Sequence, residues 1–255
     1  MQQLKTLVLH ILLPHTCAHC GADLPFGKTA LLCRACQAKL LPVSYPLCLR
    51  CGLPLPDGGA HCRHCLGVKA DGYKCRIIRS ALHLTPELKS AVHSFKYRYK
   101  PGMAAYLAQY MQLAYLRHPE LHGADALVPV PMHEKRLAER GFNQSAALAQ
   151  ELARAVKIPV ADALLSKTSP TAQQAKLNRG QRQKNLLNSF AAAPGAKGLE
   201  VLLIDDICTT GATLEECARA LRRAGAGRVR ALTLARELPP ARKPAAPDTA
   251  GDMDP

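Results

Sequence analysis

Apolar residues along the chain fall into two kinds of run, some short and unbroken between turn residues, others recurring at helical spacing. Cys75 to Leu84 is β-branched and apolar enough for a strand. Thr85 can then cap, and Pro86 can open, a helix running through Glu87 to about Phe95. A second helix is expected from Gly102 to Leu116. Ala126 to Val130 reads as a short buried strand, and Asn143 to Val156 as a helix with Ala147, Leu148, Leu152 and Val156 on one face. Val201 to Ile204 is apolar on both faces, as a central strand of a covered parallel sheet must be, and an amphipathic helix follows it. The pattern predicts an α/β fold, a mostly parallel sheet flanked by helices, with a small module in front.

The ends of the chain read differently. LVLHILL at residues 7–13 is too short to span a membrane, ends at Pro14, and is not followed by a small-residue cleavage site. A short amphipathic helix packed on the body is expected there. Residues 1–70 form the small module and 75–237 the main domain, joined by a linker near 66–75. Residues 238–255, LPPARKPAAPDTAGDMDP, have the composition of disorder. With 255 residues and 48% hydrophobic content the chain can bury a good core.

Cysteine usage defines the module. Eight of the eleven cysteines form four CxxC pairs: Cys17 and Cys20, Cys33 and Cys36, Cys48 and Cys51, Cys62 and Cys65. A CxxC knuckle brings two thiolates to one tetrahedral ion, and two knuckles close a structural shell with no position left for substrate. Two structural Zn²⁺ ions are expected. Gly21 and Gly52 directly follow the second cysteine of their pairs, where a knuckle commonly needs positive φ. So short a stretch, rich in Pro and Gly, cannot build its own core, and metal would supply about 10–16 kcal/mol of folding energy per site. Pairing in chain order needs the shortest loops; interleaved pairing is the alternative. A disulfide framework lacks an export signal, and a redox CxxC lacks its βαβ setting. His15, His19, His61 and His64 crowd the knuckles and are read as surface residues. Cys75, Cys208 and Cys217 are read as small core residues.

The formal charge is +15 at pH 7. Two zinc–tetrathiolate centres would lower it to roughly +11. Such a field favours polyanions, nucleic acid included, although it also serves solubility or an anionic-ligand site. Aromatic residues make up only 4% and Trp is absent, so no base-stacking platform stands out.

Chemistry concentrates at residues 201–214, VLLIDDICTTGATL. The apolar run stops at Asp205 and Asp206 and passes into Thr209, Thr210, Gly211, Ala212 and Thr213 before the helix. In an open α/β fold, ligands sit at the carboxyl end of such a strand. Backbone N–H groups of the small loop can converge on an anion, the threonine hydroxyls add donors, and the helix amino terminus adds positive potential. The GxxxxGK pattern of nucleotide P-loops is absent. Two carboxylates would repel a phosphate but suit the vicinal hydroxyls of a ribose. A ribose 5-phosphate group satisfies both halves. The stretch resembles the phosphoribosyl pyrophosphate (PRPP) motif of type I phosphoribosyltransferases, in which the acidic pair takes the ribose hydroxyls and the TTGAT loop takes the 5-phosphate.

Three other stretches carry cations. A loop is expected between the strand ending at Val130 and the helix starting at Asn143, with His133, Lys135, Arg136 and Arg140 on it before Gly141. Arg136 and Arg140 are the candidates to neutralise a departing pyrophosphate, together with Mg²⁺. Residues 167–190 are polar with no periodicity until Leu186, which suits a lid: Thr171, Gln174, Arg179 and Arg182 would close over the pyrophosphate and exclude water. An exposed helix with no catalytic role is the alternative. Lys96, Tyr97, Arg98, Tyr99 and Lys100 interleave cations with tyrosines as a single-strand nucleic-acid contact would. The preferred reading is a helix end with cations favoured by its dipole.

Taken in order, the CxxC series, the Lys96 segment, VPVPMHEKRLAERGFNQ at 128–144, the pattern of Thr171, Gln174, Arg182, Asn185 and Phe190, and VLLIDDICTTGATL with AGAGRVRALTLAR at 224–236 resemble the ComF family. Its members are competence-associated proteins that join a double zinc ribbon to a phosphoribosyltransferase domain. The resemblance covers nearly the whole chain. It implies a type I phosphoribosyltransferase fold, a PRPP-like ligand, a role in handling DNA taken up by transformation, and a cytoplasmic bacterial setting. Lys167 departs mildly from the pattern, standing where arginine is more usual. Three readings follow: a PRPP-binding protein of DNA uptake that contacts single-stranded DNA or a DNA-uptake protein; an active phosphoribosyltransferase; and a PRPP sensor acting through a protein partner. No segment announces an acceptor base.

Overall fold

The apolar runs become strands of one sheet. The structure, a computed structural model, describes residues 16–25, 30–67, 72–97, 102–168 and 188–239. The helix expected at 7–13, Arg98 to Lys100, the lid residues Thr171, Gln174, Arg179 and Arg182, and the tail from 240 onward lie outside the described residues. The strands are β1 (Cys75–His83), β2 (Ala126–Pro129), β3 (Leu165–Lys167), β4 (Phe190–Ala192), β5 (Val201–Cys208) and β6 (Val229–Arg236). The helices are α1 (Arg34–Gln37), α2 (Pro86–Tyr97), α3 (Met103–Arg117), α4 (Glu134–Arg140), α5 (Gln144–Val156) and α6 (Ala212–Arg223).

Four strands pair in parallel in the order β1-β6-β5-β2, with Val128 opposite Leu203 and Leu203 opposite Ala231. β3 and β4 form a separate antiparallel pair. Being central, β5 is buried on both faces. Leu202 and Ile204 pack with Leu232 and Leu234 beneath α2, α3 and α5, where Phe95, Leu107 and Leu148 meet them. Val201 and Leu203 face Leu214, Cys217 and Leu221 of α6, with Leu165 and Phe190 from the small strand pair. Cys75, Cys208 and Cys217 are all buried here, as small core residues.

Local chemistry sets the helix starts. The Leu88 N–H donates to Thr85 Oγ1 at 3.4 Å, so the expected cap forms, and the Ser145 N–H donates to Asn143 Oδ1 at 3.0 Å, which makes Asn143 the cap of α5 rather than its first residue. Two expectations need correction. The cationic stretch before Gly141 is helical as α4: EKRLAER is made of good helix formers, His133 Nδ1 accepts from the Lys135 N–H at 3.3 Å, and Gly141 takes the left-handed conformation that ends it. The acidic pair does not end its strand either, because β5 stays paired with β6 as far as Cys208 opposite Arg236.

The cysteine-rich module lies along the outer edge of β1. The Val43 N–H donates to Ala81 O at 3.1 Å, the His83 N–H to Leu41 O at 2.8 Å, and the Ile78 N–H to Arg50 O at 2.7 Å. Buried Arg79 donates to the Glu120 carboxylate at 2.6 Å and to Leu49 O at 3.0 Å. Gly21 and Gly52 have positive φ, as the knuckles require. Metal is not the module's only support, because Leu24, Leu31, Leu32 and Leu40 are buried in the cluster that holds Phe95 and Leu107. Leu203, in the middle of β5, is fully buried. Leu203→Ala should therefore cost about 2–5 kcal/mol, read as a lowered Tm of the zinc-loaded protein, and an unchanged Tm would remove β5 from the core.

Candidate functional site

Each half of the module forms one four-sulfur group. The sulfurs of Cys17, Cys20, Cys33 and Cys36 lie within 4.8 Å of one another, as do those of Cys48, Cys51, Cys62 and Cys65, so pairing follows chain order. The Cys20 and Cys33 sulfurs are 3.6 Å apart, and so are those of Cys51 and Cys62. A tetrahedron of Zn–S bonds near 2.3 Å has an edge of about 3.8 Å, so both groups fit structural zinc. The Cys65 sulfur and burial push the Cys51 thiol up to about 12, and a dication is what lets such thiolates coexist. Among the described histidines, His19 points away from the metal groups, with Nδ1 3.1 Å from Ser90 Oγ and Nε2 3.7 Å from Glu87.

The second site lies at the carboxyl end of β5. Asp205 Oδ1 accepts from Ser145 Oγ at 2.9 Å and from the Asp206 N–H at 2.9 Å. Asp206 Oδ2 is 2.5 Å from Lys96 Nζ at the end of α2. Burial and, after it, the Asp206 charge raise the Asp205 carboxyl well above the usual range, to about 7. Beyond Cys208 the chain turns through Thr209 and Thr210 into Gly211, whose φ of +79° makes the corner that starts α6. Thr210 Oγ1 accepts from the Ala212 N–H at 3.3 Å, and Gly211 O accepts from the Glu215 N–H at 3.0 Å. Asp205 and Thr209 to Thr213 line one depression.

Besides Lys96, further cations stand on the neighbouring elements. Arg140 donates to Gln144 Oε1 at 2.9 Å and to the Tyr97 hydroxyl at 3.4 Å, and its guanidinium lies 5.2 Å from the Tyr97 ring centre. α4 thus meets the end of α2 at the residue next to Lys96. Lys167 lies 5.4 Å from the Phe190 ring centre. Burial and then the Arg136 charge lower its pKa, whereas Asp205 acts to raise it. Arg136, Lys167 and Asp205 therefore share one electrostatic neighbourhood. The site residues that sequence reasoning missed are Ser145 and Lys96. Ser145 carries no local signal, and Lys96 was legible only as a cation at a helix end.

A parallel sheet with a threonine-rich loop after its acidic central strand, and two four-cysteine centres beside it, defines a phosphoribosyltransferase-type domain joined to a double zinc ribbon. The comparisons agree. Residues 143–254 match the phosphoribosyl transferase domain and residues 8–66 the double zinc ribbon domain. Competence protein F of Haemophilus influenzae is 32% identical over 86% of this chain and 96% of its own. The DNA utilization protein YhgH of Salmonella typhimurium is 32% identical over 88% of this chain and 98% of its own. The chain belongs to the ComF family. Among solved structures, the glutamine PRPP amidotransferase from B. subtilis complexed with ADP and GMP aligns over 55% of this chain and 30% of its own, at 19% identity and a TM-score of 0.36. Among the described residues no helix is long and apolar enough to cross a membrane.

Because Asp205 titrates higher in the folded chain, ionising it costs folding free energy. That cost grows as pH rises from the ordinary carboxylate value toward about 7 and is constant above it. Asp205→Asn should therefore raise the Tm of the ligand-free, zinc-loaded protein, by more at pH 8 than at pH 5.5. An advantage that did not change with pH would mean that Asp205 is ionised throughout.

Proposed function

We propose that the protein binds PRPP at the carboxyl end of β5 and works in the handling of DNA taken into the cell, holding nucleic acid on its basic surface. The first half is supported by one juxtaposition: two carboxylates near the carboxyl end of β5 and, after two further residues, a hydroxyl-rich corner that opens α6. Asp205 and Asp206 accept the ribose hydroxyls, and Thr209, Thr210, Gly211, Ala212 and Thr213 hold the 5-phosphate at the helix amino terminus. The incoming hydroxyls displace Ser145 and Lys96 from the carboxylates. Lys96, once released, joins Arg136 and Arg140 in facing the pyrophosphate, whose charge Mg²⁺ would neutralise in part.

The second half is supported by the net charge of +15 and by relatives whose names refer to competence and DNA utilization. DNA affinity should fall steeply with added salt, because phosphate contacts release counterions.

A phosphorus NMR time course on the zinc-loaded protein with Mg²⁺ and PRPP, alone and then with bases, nucleosides or single-stranded DNA, tests the ligand. The PRPP signals should shift while the compound stays intact. The double variant Asp205→Asn, Asp206→Asn should bind at least about tenfold more weakly, as expected from losing hydrogen bonds to charged groups. Release of pyrophosphate with one acceptor would make the protein a transferase and identify its substrate. Signals that never respond would overturn the assignment of the β5 end.

A further inference from the structure

The two zinc ribbons touch different parts of the body. Around the Cys17 group, His19 reaches Ser90 on α2 and Gln37 reaches Tyr110 on α3. The Cys48 group sits instead against the start of α6. Arg50, inside its first knuckle, spreads its guanidinium between two partners: Nη1 donates to Cys65 Sγ at 3.6 Å and Nη2 to Glu215 Oε2 at 3.1 Å. Glu215 is buried in the first turn of α6, and its carboxylate also accepts from the backbone N–H groups of Lys74 at 2.6 Å and Cys75 at 3.1 Å.

Packing repeats the connection. A Cβ added to Gly52 would lie 2.5 Å from Ile78 O, and one added to Gly211 would lie 3.2 Å from Ile78 Cδ1. Ile78 is thus clamped between the knuckle glycine and the anion-loop glycine. Thr209 and Thr210 also share one cavity of about 360 Å³ with Cys51, Cys62 and Cys65.

A buried carboxylate in the first turn of α6 would repel a phosphate held at that helix end unless a cation offsets it. Arg50 supplies the cation. Its other arm satisfies a sulfur of a centre that carries excess negative charge once four thiolates hold zinc. We propose that Arg50 is a positioning residue for the PRPP site: by joining the Cys48 zinc centre to Glu215 it fixes the first turn of α6, so that metal in this centre and phosphate in the loop stabilise each other. The inference rests on the PRPP reading. Linkage makes the effect reciprocal, and the Cys17 centre, with no such bridge among the described residues, stays outside it.

Cadmium-113 NMR on the full chain loaded with two Cd²⁺ ions gives each centre its own resonance, assigned through Cys20→Ser. Adding PRPP with Mg²⁺, with binding followed by phosphorus NMR, should shift the Cys48-centre resonance and leave the other in place. Arg50→Met should keep both metals, lose the shift and bind PRPP about tenfold more weakly. Arg50→Lys keeps the charge, but its single ammonium cannot span Cys65 and Glu215, so it should not restore the shift. Glu215→Gln, which preserves size, should reproduce the loss. If wild type binds PRPP with neither or both resonances moving, or if Arg50→Met binds like wild type, the inference alone is overturned. Wild type that fails to bind PRPP overturns the ligand reading and takes the inference with it.

Discussion

A strand buried on both faces has to be covered twice, and β5 imposes that requirement on most of the chain. Leu202 and Ile204 need α2, α3 and α5 on one side; Val201 and Leu203 need α6 and the β3–β4 pair on the other. The strand meets solvent chemistry only at its carboxyl end. Polar residues placed anywhere else along it would need buried partners. The acidic pair sits there, and the next residues can turn only because Gly211 accepts a left-handed backbone with Ile78 pressed close behind it.

The same end of β5 carries an electrostatic cost. Two adjacent carboxylates, one of them held well above its usual pKa by burial, oppose each other. The chain meets this with its own groups: the Ser145 hydroxyl stands on Asp205 as a sugar hydroxyl would, and the Lys96 ammonium neutralises Asp206. Like charges kept together at a partly buried strand end cost stability, and proteins commonly accept such a cost where function needs the groups.

What could be read from the sequence was local. Four CxxC pairs, a two-faced apolar run, the DDxxTTGAT order and the cap Thr85 each declare themselves within a few residues, although β5 runs two residues past the acidic pair. The pairing of cysteines needed the fold to choose between chain order and interleaving. α4 is hard to see in the sequence because its cations suit an exposed loop, although its composition and the capping pair His133 and Gly141 favour helix. Ser145, Lys96 and the Arg50–Glu215 bridge join residues 60, 110 and 165 positions apart, and nothing in either partner's neighbourhood announces the other. The candidate lid, Thr171 to Arg182, lies outside the described residues.

The cysteine-rich segment along β1 has a consequence for how copies of the chain can meet. Its backbone occupies the outer rim of the sheet at Ile78, Ala81 and His83, while Pro159 and Ala161 do the same for Leu127 at the opposite rim. An exposed rim is a template on which a second chain can add a strand. Both rims are taken at these positions, so association by extending the sheet is disfavoured. At these rims an encounter between copies would be made through side chains, and a net charge of +15 on each copy opposes it.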